Sequence, residues 1–563
     1  MAQQLYFSRD TRMFVQFRNT TENTENVGDL GKGALWEIPI LDGYSFSQAT
    51  NTSEIALSEM ESSAGISRRG RRMFTDSLAP AEWSFSTYAR PFKSVGQNAL
   101  GTLNTTVKAA ELTTGADVHA VEEVLWASMF GADKYDATTS TFLRNVQPVS
   151  GTETNVITPS GGAGASSTIN IGESNRSAMH SFTLYFMIDT STARPLLYRM
   201  PEAVVNEASV DFDVDGIATI NWSGFAKEIQ DNSAKLVISS RHDATISNGR
   251  VGGTDNLVLG DFVVDTGNTR SVSIVNNITT NAPQAIVTQA IDEAITSTKN
   301  FIRNRLTGVT IEAAEEADKI IGVFPGKSAS ITGLSKVVNA VVTAVAHGFA
   351  VGDKVFFTGT CGITLGSVDV LQNTTHTVTS VPSVNSFTMG LDLDTVAPGG
   401  TFSATNLVGA NGKYNLTLTG GNFSLGNNIT YLVPEELGAI NKPLEHVTGT
   451  RTATGTATCY LTLEDQNQSS GTSRQFFNDL VGTGAMAKVV NKFKVTMDVG
   501  GTAAAADDTS PALSIIFPTA HIEVPSHSIE DVISLETSFT ALPTDFGSAD
   551  EVTSIIYKPP GTY

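Results

Sequence analysis

The stretch LDGYSFS (residues 41–47) recurs as LTGGNFS (418–424), and this repeat decides how the rest of the chain is interpreted. Both stretches follow the pattern L-x-G-x-x-F-S. The alternating segment WSFST (83–87) begins 42 residues after the first, and CYLTL (459–463) begins 41 residues after the second. Alternation of apolar and polar residues is typical of a β-strand with one buried face. The nearly equal spacing indicates that one β unit occurs twice.

Three further pairs of segments follow in the same order. LWASMFG (125–131) and FFNDLVG (476–482) each predict a short amphipathic helix that stops at glycine. FTLYF (182–186) and FKVTM (493–497) predict strands. MPEA (200–203) and FPTA (517–520) each lead into a predicted hairpin. Five matches in one order predict a tandem duplication, with copies at about 1–230 and 296–563.

Insertions set the predicted domain boundaries. Residues 231–295 match neither copy and are expected to form an ordered connector with a helix at 285–299. A block rich in Val and Thr, 333–405, is expected to be an inserted β module. The second domain then consists of residues 296–332 and 406–563. The predicted fold class is mainly β, with two sandwich or barrel-like domains, each with one flanking helix, and a small β module.

Composition excludes several classes of protein. Charged residues are 17% of the 563 residues, which disfavours a coiled coil or bulk disorder. The net charge of −21 argues against a surface that holds nucleic acid by counterion release. The most apolar stretch, 337–357, contains charged residues, so we expect no membrane span. Two cysteines and a start without a signal-peptide pattern favour synthesis in the cytoplasm.

Motifs that suggest ligand chemistry have simpler explanations. DFDVDG (211–216) opens like a calcium loop, but Trp222 stands where the twelfth-position Glu is required. A hairpin with a three-residue turn at 215–217 is favoured, with Val210 opposite Trp222. GGAG (161–164) lacks the following Lys-Ser/Thr of a phosphate loop and is expected to be a flexible loop. We predict no catalytic residue, metal site or cofactor.

One basic run stands out in this acidic chain. Its arginines lie between the LDGYSFS and WSFST segments: Arg68, Arg69, Arg71 and Arg72. Three explanations remain open: a nucleic-acid patch, a solvated loop, and a contact with an acidic face of a neighbouring subunit. The run lacks interleaved aromatic residues, which disfavours the first. We treat the four arginines as a candidate contact between rings of subunits for the reason given next.

The segment WEIPILDGYSFS (36–47), the basic loop and the Pro-led hairpins resemble the major tail tube proteins of tailed bacteriophages. FIRNR (301–305), GNNITYL (426–432) and TGTR (448–451) add to the resemblance in the second copy. It covers about two thirds of the chain and excludes the connector and the module. HGFAVGD (347–353) and TVTSV (377–381) are similar to small β modules inserted in phage virion proteins.

The resemblance implies a structural virion protein, assembled in the host cytoplasm, whose six-fold rings stack into a tube. Two tube domains per chain imply that three chains complete a ring. The implied partners are further copies of the chain and tail proteins such as the tape measure, terminator, and baseplate or tip proteins. DNA would pass through the lumen without specific binding. The module is expected outside the tube, where it would crowd a sheath and favour a non-contractile tail.

Two other classes stay open at this point. A virion surface adhesin would be expected to expose aromatic-lined sugar sites. A glycan-active enzyme on a β scaffold would need a carboxylate pair, and no such pair is evident from spacing.

Overall fold

The computed structural model describes most of the chain. The described residues are 6–17, 35–55, 72–94, 117–136, 141–145, 153–161, 165–171, 179–188, 195–213, 215–239, 250–251, 255–256, 262–265, 272–277, 284–287, 301–313, 328–349, 351, 354–358, 362–365, 368–369, 371, 375–393, 405–409, 413–433, 442–462, 473–481, 493–500, 511–529, 532–545 and 550–559. The fold is mainly β, as the composition predicts.

The elements of the N-terminal half are mostly strands of 4 to 18 residues. They are β1 (Thr11–Phe17), β2 (Leu35–Ile38), β3 (Ser45–Ile55), β4 (Arg72–Tyr88), β5 (Pro91–Ser94), β6 (Asp117–Ala120), α1 (Glu123–Met129), β7 (Lys134–Asp136), β8 (Thr141–Asn145), β9 (Glu153–Pro159), β10 (Ser167–Asn170), β11 (Phe182–Ile188), β12 (Leu196–Asp213), β13 (Thr219–Ala226), β14 (Gln230–Asp231), β15 (Leu236–Ser239), β16 (Arg250–Val251), β17 (Asp255–Asn256), β18 (Phe262–Asp265), β19 (Val272–Asn277) and β20 (Gln284–Val287).

The C-terminal half continues in the same manner. Its elements are β21 (Gly308–Ala313), β22 (Ser328–Leu334), β23 (Val341–Ala344), β24 (Lys354–Thr358), β25 (Thr364–Leu365), β26 (Val368–Asp369), β27 (Thr375–Ser383), β28 (Ser386–Met389), β29 (Thr405–Gly409), β30 (Lys413–Gly426), β31 (Thr430–Leu432), β32 (Glu445–Val447), β33 (Thr452–Tyr460), α2 (Ser473–Val481), β34 (Phe493–Val499), β35 (Ala512–Ile522), β36 (Ser526–Ile529), β37 (Ile533–Ala541) and β38 (Ser554–Lys558). Short 3₁₀ turns lie at Ser8–Asp10, Ser233–Lys235 and Asn304–Leu306.

Two groups of strands have the same neighbour order. The first strand set runs β2-β1-β11-β12-β13-β4-β3, with every pair antiparallel. The second strand set runs β30-β21-β34-β35-β37-β33 and returns to β30. The long strand β30 therefore occupies both ends of the second order, where it pairs with β21 and with β33. In the first set these two places are held by separate strands, β2 and β3. One buried apolar core contains residues from both sets.

The two sets also share a β-bulge. Phe182 pairs with Ala203 and Leu184 with Met200, so Pro201 and Glu202 face a single residue of β11. The same irregularity separates the Phe493–Ala520 and Val495–Phe517 pairs of the second set. Proline donates no backbone hydrogen bond, so it is tolerated at a bulge inside a sheet. The MPEA and FPTA segments thus mark the same bend in both sets.

The register corrects one predicted match. Phe46 pairs with Trp83 in the first set, and Phe423 pairs with Gly455 in the second. The position of Trp83 is therefore held by Gly455, four residues before Cys459. The predicted match identified the correct strands but was shifted by four residues. In the first set the aromatic residue lies on β4 and the glycine on β13, whereas in the second set the glycine lies on β33 and the aromatic residue on β37. Trp83 lies opposite Gly224, whereas Gly455 lies opposite Phe539.

Both predicted helices are present. α1 packs against β12 and ends before Gly131, whose φ of +75° is a conformation that glycine adopts without strain. α2 packs against β30, with Phe476 against Tyr414. Among the described residues, no helix is long and apolar enough to span a bilayer.

The connector differs from its prediction. It contributes a four-stranded sheet of β15, β18, β19 and β20, which packs on the outer side of β1 and β11 through Phe262, Phe14 and Tyr185. The helix predicted at 285–299 is wrong at its start, because residues 285–287 belong to β20 and Ile286 pairs with Ile274. Residues 288–299 lie outside the described part. β-branched side chains favour this pairing over a helix.

The inserted block forms a closed barrel with its own apolar core. Its strand order is β22-β23-β28-β27-β24-β29, so the barrel runs from Ser328 to Gly409. The predicted limits, 333–405, therefore cut into its first and last strands. Those strands pair with each other and close the barrel, a contact that local sequence patterns do not reveal.

The aspartate hairpin forms with a shifted register. Val210 pairs with Ile220, not with the predicted Trp222, which pairs with Ala208. The last pair is Asp211 with Thr219, so seven residues, 212–218, separate the paired positions in place of the predicted three. A shift of two leaves every side chain on its predicted face. Asp211 and Asp213 are exposed as expected, and Phe212 is buried.

The exchanged glycine and aromatic residue give a testable stability effect. A Cβ at Gly455 would overlap the ring of Phe539, whereas a Cβ at Gly308 in β21 would meet no heavy atom closer than 3.9 Å. We expect Gly455→Ala to destabilise the protein by about 1–3 kcal/mol, the usual effect of overpacking a core. The thermal unfolding midpoint should fall clearly in Gly455→Ala and much less in the matched Gly308→Ala. Equal midpoints would contradict the packing described.

Candidate assembly interface

The two strand sets are joined by a direct strand pair, which we call the internal joint. Residues 207–213 of β12 pair antiparallel with residues 420–426 of β30. Val210 lies opposite Phe423, and both are fully buried. On the outer face, the Ser424 hydroxyl donates to Glu207 Oε1 at 2.6 Å. The joint therefore has one apolar face toward the core and one polar face outward.

The joint uses different edges of the two sets. β12 of the first set corresponds in neighbour order to β35, and β30 corresponds to β2 and β3. The contact is thus head-to-tail, with non-equivalent surfaces on its two sides. Such heterologous contacts can repeat around a ring or along a filament, whereas a contact between identical surfaces ends at a dimer.

A second bulge in β12 reinforces the joint. Asn206 is the extra residue between the Val205–Gly224 and Glu207–Ser223 pairs, so it is free of the β13 register. Its backbone carbonyl accepts from Asn427 N at 2.8 Å, and its side-chain oxygen accepts from Ile429 N at 2.8 Å. The buried Asn427 amide donates to Val205 O and to Met129 O at the end of α1, each at 3.3 Å. These bonds tie α1, β12 and β30 together.

A buried polar group links the chain's last strand to α1. The Tyr557 hydroxyl donates to Glu122 Oε1 and accepts from Trp126 Nε1 at 2.9 Å. Burial raises the pKa of Glu122 to about 7, against the opposing effects of the Tyr557 hydrogen bond and the positive charge of Arg90. Burial also raises the pKa of Tyr557. Together with the β10–β38 pair, this contact is a further connection between the two halves.

The basic loop lies mostly outside the described residues. Arg68, Arg69 and Arg71 fall in the undescribed segment 56–71, and Arg72 begins β4, paired with Ile55. The strands on either side form a two-stranded arm, Asn51–Ile55 with Arg72–Ser77. Met73 and Phe74 in this arm are 61% and 57% exposed. The described arm therefore presents apolar side chains to solvent.

The aspartate hairpin has an internal side-chain hydrogen bond at Asp211. Asp211 accepts from Asn221 Nδ2 at 3.0 Å on the outer face of the hairpin. Within the described ranges, no group of three or more His, Cys, Asp or Glu is arranged to hold a metal ion. The GGAG segment is undescribed from 162 to 164. Cys459 is buried, and burial raises its pKa to about 11.

Sequence patterns could not have revealed which residues of the two halves contact each other. Glu122 and Tyr557 are 435 residues apart, and neither belongs to a recognisable motif. No sequence motif marks Asn206 as a residue that would contact β30. The two strands of the internal joint do carry a signal, because FSLGN (423–427) and ASVDF (208–212) both alternate, but alternation does not identify the partner strand.

Part of the chain is similar to a known protein. No protein-family model matches the chain. Over 141 residues the chain is 35% identical to tail tube protein pb6 of Escherichia phage T5. The match covers 25% of this chain and 28% of that protein, so the chain spans well under a third of its relative's length.

The buried carboxyl predicts a pH dependence of stability. Glu122 has a folded-state pKa of about 7 against an ordinary value of 4.5, so its stabilising contribution is complete below about pH 4.5 and is lost as pH rises through 7. Glu122→Gln keeps an uncharged acceptor for Tyr557 and removes this titration. We expect the variant to gain up to about 3 kcal/mol relative to the unmodified protein between pH 5 and pH 8.

Thermal unfolding midpoints across that pH range measure the effect. The matched control is Glu82→Gln, an exposed carboxyl of β4, which should parallel the unmodified protein. A Glu122→Gln curve that also parallels it would show that Glu122 is ionised throughout.

Proposed function

We propose that the chain is a structural subunit of a bacteriophage tail tube. The observation that carries the proposal is the head-to-tail internal joint, a contact of the kind that builds rings. The 35% identity with the T5 tail tube protein over a quarter of the chain supports the same conclusion. The mainly β fold agrees with the resemblance found in the sequence. No observation favours an adhesin or a glycan-active enzyme over this role.

We further propose that the chain contains two tandem tube domains. The proposed first domain spans 1–230, and the second is formed from 296–332 and 406–563. The shared neighbour order and the shared bulges at Pro201 and Pro518 support this duplication. So does the second bulge, which separates Val205 from Glu207 and has a counterpart after Ile522. Unrelated sheets would have no reason to share both irregularities.

Three chains then complete a ring of six domains, and rings stack into the tube. Each domain would contact the next head-to-tail, alternately within a chain and between chains. The chain's net charge of −21 suits a channel through which DNA passes without being held. Further partners would be the tail proteins that fill, end and anchor the tube. The protein would act in the virion tail after assembly in the host cytoplasm.

The inserted barrel is proposed to lie on the outside of the tube. Its described strands pair only with one another, and its core is separate from the main core. A unit of about 80 residues forms a globule of more than 20 Å, which would obstruct DNA in the lumen. An outer position would be compatible with a tail that has no close-fitting sheath.

Electron microscopy of the purified protein, in negative stain, tests the function. We expect rings or tubes at high protein concentration, and a variant with residues 328–409 replaced by a short linker should give tubes of smaller outer diameter. Discrete spiky oligomers would support the adhesin alternative. A compact particle that never forms rings would contradict the proposal.

The basic loop is proposed to join one ring to the next. Arginine binds carboxylates bidentately, and an acidic chain offers many. Replacing Arg68, Arg69, Arg71 and Arg72 by Ser should leave soluble rings but slow or abolish their stacking. High salt should weaken stacking of the unmodified protein, because exposed ion pairs are screened. Light scattering during tube growth measures both effects.

A charge-matched control separates the loop from overall charge. Replacing four other exposed arginines by Ser causes the same change in net charge: Arg9, Arg303, Arg305 and Arg474. The control should form tubes at a rate near that of the unmodified protein. Normal stacking of the loop variant would show that the loop is merely solvated.

A further inference from the structure

Strand β36 is the counterpart of the part of β12 that forms the internal joint. Val205 pairs with Gly224, and Ile522 pairs with Phe539 at the same place in the second set. Six residues further along, Asp211 pairs with Thr219 and Ser528 with Ser534. Both registers run on from these pairs into a hairpin loop. β36 therefore presents the same outer edge that β12 gives to β30.

This edge is open in the single chain. Within the described residues, β36 pairs only with β37, and all four of its residues are exposed. Ile529, which holds the place of Phe212, is 79% exposed, whereas Phe212 in the internal joint is 4% exposed. An apolar side chain is thus left in solvent where its counterpart is covered by β30.

The complementary edge is open at the other end of the chain. β3 is the counterpart of the segment of β30 that pairs with β12, and in the described part of the chain it pairs only with β4. Phe46 and Tyr44 pack on the core with one side still accessible, while Phe423, the counterpart of Phe46, is fully buried. A strand with an edge like that of β12 would cover the accessible side of Phe46.

We propose that β36 of one chain pairs antiparallel with β3 of a second copy and repeats the register of the internal joint. In that joint Val210 faces Phe423 and Asp211 faces Asn422. The corresponding pairs between chains are Ser526 with Ser47, His527 with Phe46, Ser528 with Ser45, and Ile529 with Tyr44. The inference rests on the proposed self-assembly and adds the strands and the register through which it occurs.

The chain itself limits this contact to a few residues. Pro525 precedes β36 and donates no hydrogen bond, so a ladder cannot extend past it unbroken. At the other end, Gly43 has a φ of +98° and turns the chain away before β3. Short edges of this kind pair weakly on their own and resist random aggregation. Closure of a ring, in which every joint supports the others, makes the pairing stable.

Engineered disulfides test the register. Residues directly opposite in antiparallel strands have Cα atoms about 4.5–5.5 Å apart, within disulfide range. Ser528→Cys with Ser45→Cys places the two thiols opposite each other across the proposed contact. The control, Ser526→Cys with Ser45→Cys, is displaced by two residues, about 7 Å along the strand. The unmodified protein, whose Cys459 is buried, gives the background.

Assembled protein is treated with a mild oxidant and separated on a non-reducing gel. We expect the matched pair to give covalent dimers and trimers, roughly tenfold more than the displaced pair, because the displaced thiols exceed disulfide geometry. Rings without cross-links in the matched pair, or equal cross-linking of both pairs, would overturn the inference and leave the proposed function standing. Unmodified protein that never self-assembles would overturn both.

Discussion

The antiparallel ladder between β12 and β30 is the contact on which the rest of the structure depends. It converts two groups of strands into one continuous sheet and one continuous core. Its apolar face buries Val210 and Phe423, and its outward face is polar. At the bulge, Asn206 accepts hydrogen bonds from Asn427 N and Ile429 N, and the Asn427 side chain donates to Met129 O at the end of α1. Without this ladder each set would expose an edge, which natural sheets avoid.

The asymmetry of the ladder explains the rest of the proposed assembly. A head-to-tail joint within one chain leaves one edge of each kind unpaired at the two ends of that chain. Those edges are β3 and β36, and both are short or interrupted. The strand pairing that joins the two sets can therefore also join two chains, because it does not require that the paired strands belong to one polypeptide. An acidic chain repeated around a ring would repel DNA from the wall of the channel.

Sequence patterns predicted the elements better than their partners. The strand pairs at 182–186 and 493–497, the two helices, and the Pro-led segments were all located correctly, because each has a local cause such as alternation, a glycine stop or a bulge. Trp83 was matched to a residue four positions from its true counterpart, because that counterpart, Gly455, has no apolar side chain that the alternating pattern could show. The hairpin after Val210 was shifted by two, a change that alternation cannot detect.

Long-range contacts were beyond local patterns altogether. The helix expected at 285–299 begins instead as a strand because Ile286 finds a partner in Ile274. The Glu122–Tyr557 contact joins residues that are 435 positions apart in the sequence. Of the candidate ring contacts, only the backbone of Arg72 falls within the described structure, so the role of the basic loop stays a prediction.

The mass of the isolated ring, measured by native mass spectrometry, tests the central claim most directly. In the proposed assembly each chain supplies two tube domains, joined head-to-tail as the domains of neighbouring chains would be, so three chains complete a six-fold ring. The account predicts a ring of about three times the 59.5 kDa chain mass. A ring of six chains would contradict it, because each chain would then supply only one ring position.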